Sequence, residues 1–244
     1  MLETQVSLDV LDEDIQRLRP AATPQRTGLN DLDLNLDLEQ LLGGLQLRRR
    51  RLRKKQYLFR AGQPRHSLFL IHAGVFRTSV LSADGREKIT GFRLRGDLLG
   101  MDSLGMPTFT CDAIALDVGE VWELPYAELC ERVPEFERLL ARTLAREIRR
   151  DWNWMLAVST LSAEQRVVAF LLDFAARLEA LGFSAHSLLL RMSRAELGNF
   201  LALQLETVAR ALSHLQSLRL IEVRRREIRL ENPAGLRALL AKSH

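Results

Sequence analysis

The chain is poor in cysteine, in long apolar runs and in any recognisable catalytic grouping, and each shortage closes off a class of protein. Its two cysteines, Cys111 and Cys130, lie nineteen positions apart and make neither a disulfide framework nor a paired metal-ligand spacing. That is the pattern of a reduced, cytoplasmic protein. No apolar run approaches the roughly 20 residues that a membrane-spanning helix needs. The N-terminal stretch MLETQVSLDVLDEDIQRLR carries acids where a secretory leader requires a basic start. The five histidines, His66, His72, His186, His214 and His244, fall at no ligand spacing; His66 and His72 read as surface residues, and a haem ligand among the five stays open. No nucleophile with its base and no glycine-rich phosphate loop stands out. What the chain does have is apolar residues, 47% of the total, enough for two domains with real cores and too many for wholesale disorder.

Residues 192–220, MSRAELGNFLALQLETVARALSHLQSLRL, read as two short helices joined by a tight turn. Ser193 caps the first, and Glu196 three residues on completes a capping box. Leu197, Phe200 and Leu201 form its apolar face, and Ala202-Leu203-Gln204 makes the turn. Helical spacing sends Leu205, Val208, Leu212 and Leu215 of the second helix inward, leaving Glu206, Thr207, Ala209, Arg210 and Ser213 outward. Glu206 and Arg210, four apart, also suit an ordinary surface ion pair. Residues 220–230, LIEVRRREIRL, then alternate apolar and charged side chains around a basic tip, as a β-hairpin does. Helix, turn, helix and basic hairpin spell a winged helix-turn-helix, whose second helix enters the DNA major groove. Between Arg191 and Arg229 eight arginines face four glutamates, an excess equal to the net +4 of the whole chain. Concentrating the basic excess there is the footprint expected of phosphate neutralisation.

Upstream, residues 1–35 are predicted to be a poorly ordered extension, with Pro20, Pro24 and Gly28, and a short helix is expected near residues 36–42, closed by Gly43-Gly44. The run RRRRLRKK at residues 48–55 fits a solvated strand edge or loop better than a nucleic-acid site. From Tyr57 to Pro125 short apolar runs alternate with turns. Gly62, Gly74, Gly85 and Gly96 recur at near-regular steps, and Ala83-Asp84-Gly85 is a hairpin turn. That texture predicts a small sandwich or rolled barrel. Pro134 then opens a helix running to about Ser159, roughly 25 residues or about 37 Å. Ala141, Leu144, Ile148, Asp151, Met155 and Val158 mark a heptad seam on it. The seam suits a two-fold dimer with reading helices about 34 Å apart on one DNA face; packing on its own β-domain is the alternative. Asp151 is the anomaly, close to its symmetry mate in a dimer or else facing solvent or a basic side chain such as Arg150. A further amphipathic helix, residues 163–182, buries Val167, Phe170, Leu171 and Phe174.

With GDLLG at residues 96–100, ADGREKITGF at 83–92 and SRAELGNFLALQLETVARAL at 193–212, the chain resembles the bacterial regulators typified by the cyclic-AMP receptor and the fumarate–nitrate reduction regulator (the CRP/FNR family). The likeness covers about residues 36–240 and leans toward the anaerobic branch, Leu205 being apolar where the cyclic-AMP receptor has an arginine. It implies an α+β fold: an N-terminal β-roll (cyclic-nucleotide-binding-like) over residues 36–130, a dimerisation helix over 131–160 and a winged helix-turn-helix over 161–244. Carried over by position, Glu206 and Arg210 match the base-contacting pair, and Ala209 stands where the anaerobic regulator has serine. The expected DNA-binding set is Ser193, Arg194, Gln204, Glu206, Thr207, Ala209, Arg210, Ser213 and Arg225, on a TTGAT-like half-site. The likeness also implies RNA polymerase contact through residues 82–88, with Asp84, Gly85, Arg86 and Glu87 as candidates.

The sensory end departs from both branches. Residues 99–103 and 109–112 offer no arginine for a cyclic nucleotide's phosphate, and Asp112 would repel it. Trp122 occupies the place of the fourth cluster cysteine and residues 1–110 contain no cysteine, so an iron–sulfur cluster of the four-cysteine type has no ligand set. No cofactor is predicted. The sequence therefore points to a non-enzymatic, homodimeric DNA-binding regulator, with double-stranded DNA, RNA polymerase and a second copy as partners and no membrane. The alternatives are a small-molecule- or haem-responsive regulator with another operator, and a cupin-like metal enzyme, which would need clustered His and Glu ligands.

Overall fold

The computed structural model describes residues 47–241 together with Leu42. The extension assigned to residues 1–35 lies outside them, as does the helix expected near residues 36–42 save for Leu42, which is helical and buried. Eight strands come first: β1 (Arg48–Leu52), β2 (Tyr57–Phe59), β3 (Ser67–Ala73), β4 (Phe76–Leu81), β5 (Glu87–Arg93), β6 (Leu98–Leu99), β7 (Asp112–Ala115) and β8 (Gly119–Pro125). They form two four-stranded antiparallel sheets in the orders β1-β8-β3-β6 and β2-β7-β4-β5. Phe59, Phe69, Ile71, Phe76, Phe109 and Val121 fill the space between the sheets. The first five residues of the basic run form an edge strand among the described residues: β1 pairs with β8, with Arg51 on Glu120 at 3.1 Å. The β3–β4 turn needs Gly74, whose φ is +92° and where a Cβ would sit 2.7 Å from the Gly119 Cα.

Six α-helices and a small sheet follow these strands. Helix α1 (Tyr126–Arg132), which the sequence pattern did not announce, closes the roll. The long helix α2 (Pro134–Thr160) starts with Pro134 in its first turn. Its first half packs Phe136, Leu139 and Leu140 against Leu68, Leu70 and Leu124 on the outer face of the first sheet. Helix α3 (Ala163–Ala180) carries a Ser162–Gln165 capping box and buries Val167, Phe170, Leu171 and Phe174 as its periodicity requires. Then come β9 (Ser187–Leu189), α4 (Arg194–Leu201), α5 (Leu205–Ser217), β10 (Ile221–Arg224), β11 (Glu227–Leu230) and α6 (Pro233–Leu240). The wing is three-stranded, β10-β11-β9, because β9 adds to the expected hairpin.

The seam of α2 splits. Ala141, Ile148, Asp151 and Met155 face away from the chain, Ile148 and Met155 being 47% and 68% exposed, whereas Leu144 is half-buried against the roll's outer core. Trp152, not picked out from the sequence, adds a large exposed ring beside them. Arg150 reaches Glu147 at 3.7 Å and Asp173 at 4.0 Å rather than Asp151. Where roll and helices meet, Arg177 of α3 holds Asp97 at 2.6 Å and the Phe92 carbonyl at 2.9 Å. Burial alone would raise the Asp97 carboxyl, but the guanidiniums of Arg177, Arg150 and Arg93 overcome it and hold the group below the ordinary carboxylate range. No helix among the described residues is long and apolar enough to cross a membrane.

Candidate nucleic-acid interface

Helix α4 begins as its sequence demands. The Ser193 hydroxyl accepts from the Glu196 amide at 3.1 Å, and the Glu196 carboxylate accepts from the Ser193 amide at 2.7 Å. It ends at Ala202, whose φ of 54° turns the chain left-handed, and the Leu203 amide donates back to the Gly198 carbonyl at 2.8 Å. Those contacts fix the crossing of α4 and α5, which buries Leu197, Phe200 and Leu201 against Val208, Leu212 and Leu215.

Helix α5 presents a polar face. Glu206, Arg210 and Ser213 are exposed, and Thr207 and Ala209 half-exposed. Among the described residues neither Glu206 nor Arg210 forms an ion pair, so the surface-pair alternative does not hold; Arg210 makes only a 3.5 Å contact to the Thr207 hydroxyl. Gln204, at the N-cap, makes no side-chain capping bond, which leaves the first-turn amides of α5 without a side-chain cap. Leu205 departs from expectation: it is 45% exposed rather than inward. The reason is local, since the first turn of α5 overlooks an open, mostly apolar cleft of about 400 Å³ beside the wing, whose lining includes Leu205, Arg194 and Arg225.

The wing's arginines divide by partner. Arg224 pairs with Glu222 at 2.7 Å and Arg229 with Glu231 at 3.1 Å, while Arg226 donates to the Arg191 carbonyl at 3.1 Å. Arg225, at the tip with φ 57°, is exposed and forms no ion pair among the described residues. Among the described residues Arg194, Arg210 and Arg225 have no carboxylate partner, and neither do Arg219 and Arg226, so the basic excess counted in the sequence is carried by unpaired arginines of the module.

The candidate polymerase loop is the β4–β5 hairpin. Asp84 and Arg86 pair at 2.6 Å on its exposed tip, and that hydrogen bond from Arg86, with one from Ser82, lowers the Asp84 pKa. The Glu87 carboxylate, though exposed, is tied to Arg77 at 2.8 Å and accepts from the Ser79 hydroxyl at 2.8 Å.

The roll does not fit a cyclic nucleotide. Phe109 stacks on Phe59 with ring centroids 3.8 Å apart, and Leu99, Met101 and Cys111 are buried, so the interior is filled by the chain's own side chains. The polar groups nearby are spent: Thr110 donates to Asp102 at 2.6 Å, and Asp112 accepts from the Ala61 amide at 2.8 Å. Nor do the residues fit a four-thiolate cluster. Cys111 lies inside the roll, where burial raises its thiol pKa, and Cys130 lies on α1 outside it. Trp122 stacks on His72 with centroids 4.8 Å apart, and His66 is exposed.

Comparison with known proteins agrees with this division. Residues 49–132 match the cyclic nucleotide-binding domain family and residues 165–239 the Crp-like helix-turn-helix domain family. The chain is 37% identical over 215 residues to the transcriptional activator protein Anr of Pseudomonas protegens, covering 87% of this chain and 88% of that one. It is 34% identical over 206 residues to the fumarate and nitrate reduction regulatory protein of Salmonella typhimurium, covering 83% and 82%. The structure of FixK2 from Bradyrhizobium japonicum superposes with a TM-score of 0.74 at 30% identity, covering 82% of this chain and all of that one. Anr and the fumarate and nitrate reduction regulatory protein are regulators, which sets aside the cupin-like enzyme. With a filled roll, a capped helix-turn-helix and these relatives, the chain belongs to the CRP/FNR family of DNA-binding transcription regulators.

Proposed function

We propose that the protein acts in the cytoplasm as a homodimer on an inverted repeat of TTGAT-like half-sites and engages RNA polymerase through the tip of the β4–β5 hairpin. The observation that carries this reading is the pair of unpartnered charges on α5. A Glu206 carboxylate accepts from cytosine N4, and the Arg210 fork suits guanine O6 and N7, which accounts for one C·G step in each half-site. Arg225 and Arg194 flank them as phosphate ligands, with Ser193, Gln204, Thr207 and Ser213 along the same face. The exposed Ile148, Trp152 and Met155 on α2 support pairing of two copies, because a helix so apolar on its free side loses little by burying it. The packed phenylalanines of the roll and the two separated thiols support operator binding that needs neither cyclic nucleotide nor iron–sulfur cluster.

Selection of bound duplexes from a random pool tests the reading directly. A palindrome with a TTGAT-like arm, bound by a species that sediments as a dimer, is the expected result. A non-palindromic consensus or a monomer on DNA overturns it. Iron and sulfide near four per chain, with binding lost in air, overturns the cofactor-free part alone.

A further inference from the structure

The reading module is fastened to the roll by side chains that DNA recognition does not use. Strand β5 is the outer strand of its sheet, so its free edge carries unpaired amides and carbonyls. Asn199 of α4 meets that edge as another strand would. Its Oδ1 accepts from the Ile89 amide at 2.7 Å and its Nδ2 donates to the Glu87 carbonyl at 2.8 Å. Between them Lys88 reaches the opposite way. Its Nζ donates to the carbonyls of Asn199 at 2.6 Å and Phe200 at 3.0 Å, in the last turn of α4, where intrahelical donors run out and the helix dipole favours a cation. One turn back on α4, Glu196 sits 3.5 Å from Arg77 of β4. Beneath these polar ties Phe92 of β5, Phe200 of α4 and Trp154 of α2 pack edge to face, with centroids 5.4 Å and 4.9 Å apart.

We infer that Lys88 and Asn199 are positioning residues: they clamp α4 to the edge of β5 and so set the direction in which α5 points relative to the roll and the long helix. The clamp leaves Glu206 and Arg210 exposed, so the arrangement it holds is open to DNA. The rigid path is short. Gly198, next to Asn199, touches the turn that begins α5, and the hairpin tip bearing Asp84 and Arg86 lies on the same β4–β5 ribbon. In a two-fold dimer the two reading helices must fall about 34 Å apart, so tilting α4 on the roll mis-spaces them without touching a single base contact. The consequence for spacing rests on the homodimeric reading above; the clamp itself does not.

The test uses the full chain and two variants, Lys88→Met and Asn199→Ala, neither in the DNA-contact set. Probes are a duplex with a single TTGAT half-site, the inverted repeat, and repeats lengthened or shortened by one base pair. The expected result is half-site affinity within about twofold of wild type, a loss of about tenfold or more on the correctly spaced repeat, and a flattened response to spacing, because simultaneous engagement depends on geometry. In parallel, hydrogen exchange at the Ile89 amide should accelerate in Asn199→Ala while amides inside α5 keep their protection. Wild-type spacing discrimination in both variants overturns the proposal, as does equal loss on half-site and repeat, which marks mere unfolding of the module. A wild-type chain that binds half-site and repeat alike counts against the dimer; the Ile89 exchange then decides the clamp, and unchanged protection in Asn199→Ala overturns it.

Discussion

Gly198→Ala isolates the close approach on which the reading helix depends, and two effects of opposite sign compete there. Alanine in a helix interior is favoured over glycine by about 1 kcal/mol, so a loosely packed α4 would be stabilised. Gly198 is not loosely packed: a Cβ built on it falls 2.6 Å from the Leu203 carbonyl oxygen, which is backbone and has no rotamer to retreat into. Ordinary contact begins near 3.4 Å, so the turn has to withdraw by about 0.8 Å. That movement strains the 2.8 Å bond from the Leu203 amide to the Gly198 carbonyl, worth about 1 kcal/mol. Overpacking of this kind costs about 1–3 kcal/mol, and together with the weakened bond it outweighs the propensity gain. The expected net loss is about 1–3 kcal/mol, or a melting point lower by roughly 2–4 °C for each kcal/mol in a chain of this size. Ala202 next in the turn gives the opposite sign. Its φ of 54° suits glycine, so Ala202→Gly removes strain and should raise stability slightly, by about 0.5–1 kcal/mol. Circular-dichroism melts of the two variants against wild type, with half-site binding measured by anisotropy, read both signs. A Gly198→Ala chain that melts at or above the wild-type temperature refutes the packing argument.

Other consequences can be checked one residue at a time. Arg210→Ala should cost about 1–3 kcal/mol on the operator and relax discrimination at one base pair, whereas Arg225→Ala should weaken all sequences alike and flatten the salt dependence; equal losses on operator and random DNA for Arg210→Ala would remove it as a base reader. Asp97→Asn should destabilise the chain at neutral pH. Because the Asp97 pKa is depressed on folding, its contribution is present above the unfolded value of about 3.9 and is lost as pH falls through the folded one. The gap between the two unfolding curves should therefore close below about pH 4, and a gap independent of pH would mean that the carboxylate charge is not what matters. Asp151→Ala removes a carboxylate flanked by Ile148, Trp152 and Met155 on the free face of α2, so dilution-series sedimentation should find a tighter dimer. An unchanged or weaker dimer rules out like-charge repulsion there.

The elements that could be read from the sequence are those whose determinants lie within one or two turns of themselves. The Ser193–Glu196 box, the burial stripe of α3, Pro134 at the start of α2 and the basic tip of the wing each declare themselves within about a dozen residues, and each is where the pattern put it. Leu205 marks the same limit in reverse. Helical spacing places it inward, but whether an inward direction meets protein depends on the wing, which leaves a cleft there. Helix α1 carried no signal of its own because its seven residues are too few for a period to show. Trp152 falls outside the heptad positions because a strict seam is narrower than the face that is free.

The clamp between β5 and α4 marks the boundary of such reading. Lys88 and Asn199 stand 111 residues apart, and each alone reads as an ordinary solvated residue, one beside a hairpin turn and the other inside an amphipathic helix. Nothing in either neighbourhood predicts that a helix C-terminus will arrive at a sheet edge. Once it does, the pairing is strongly favoured, because the last carbonyls of α4 have few intrahelical donors and the outer edge of β5 has no neighbouring strand among the described residues. Lys88 supplies donors to the first, and Asn199, with a donor nitrogen and an acceptor oxygen side by side on a planar amide, fits the alternating groups of the second. The Lys88 ammonium pKa is lowered by burial there, which a solvated lysine would not show. The identity of these two side chains is thus dictated by backbone groups that the fold brings together and that no local pattern encodes.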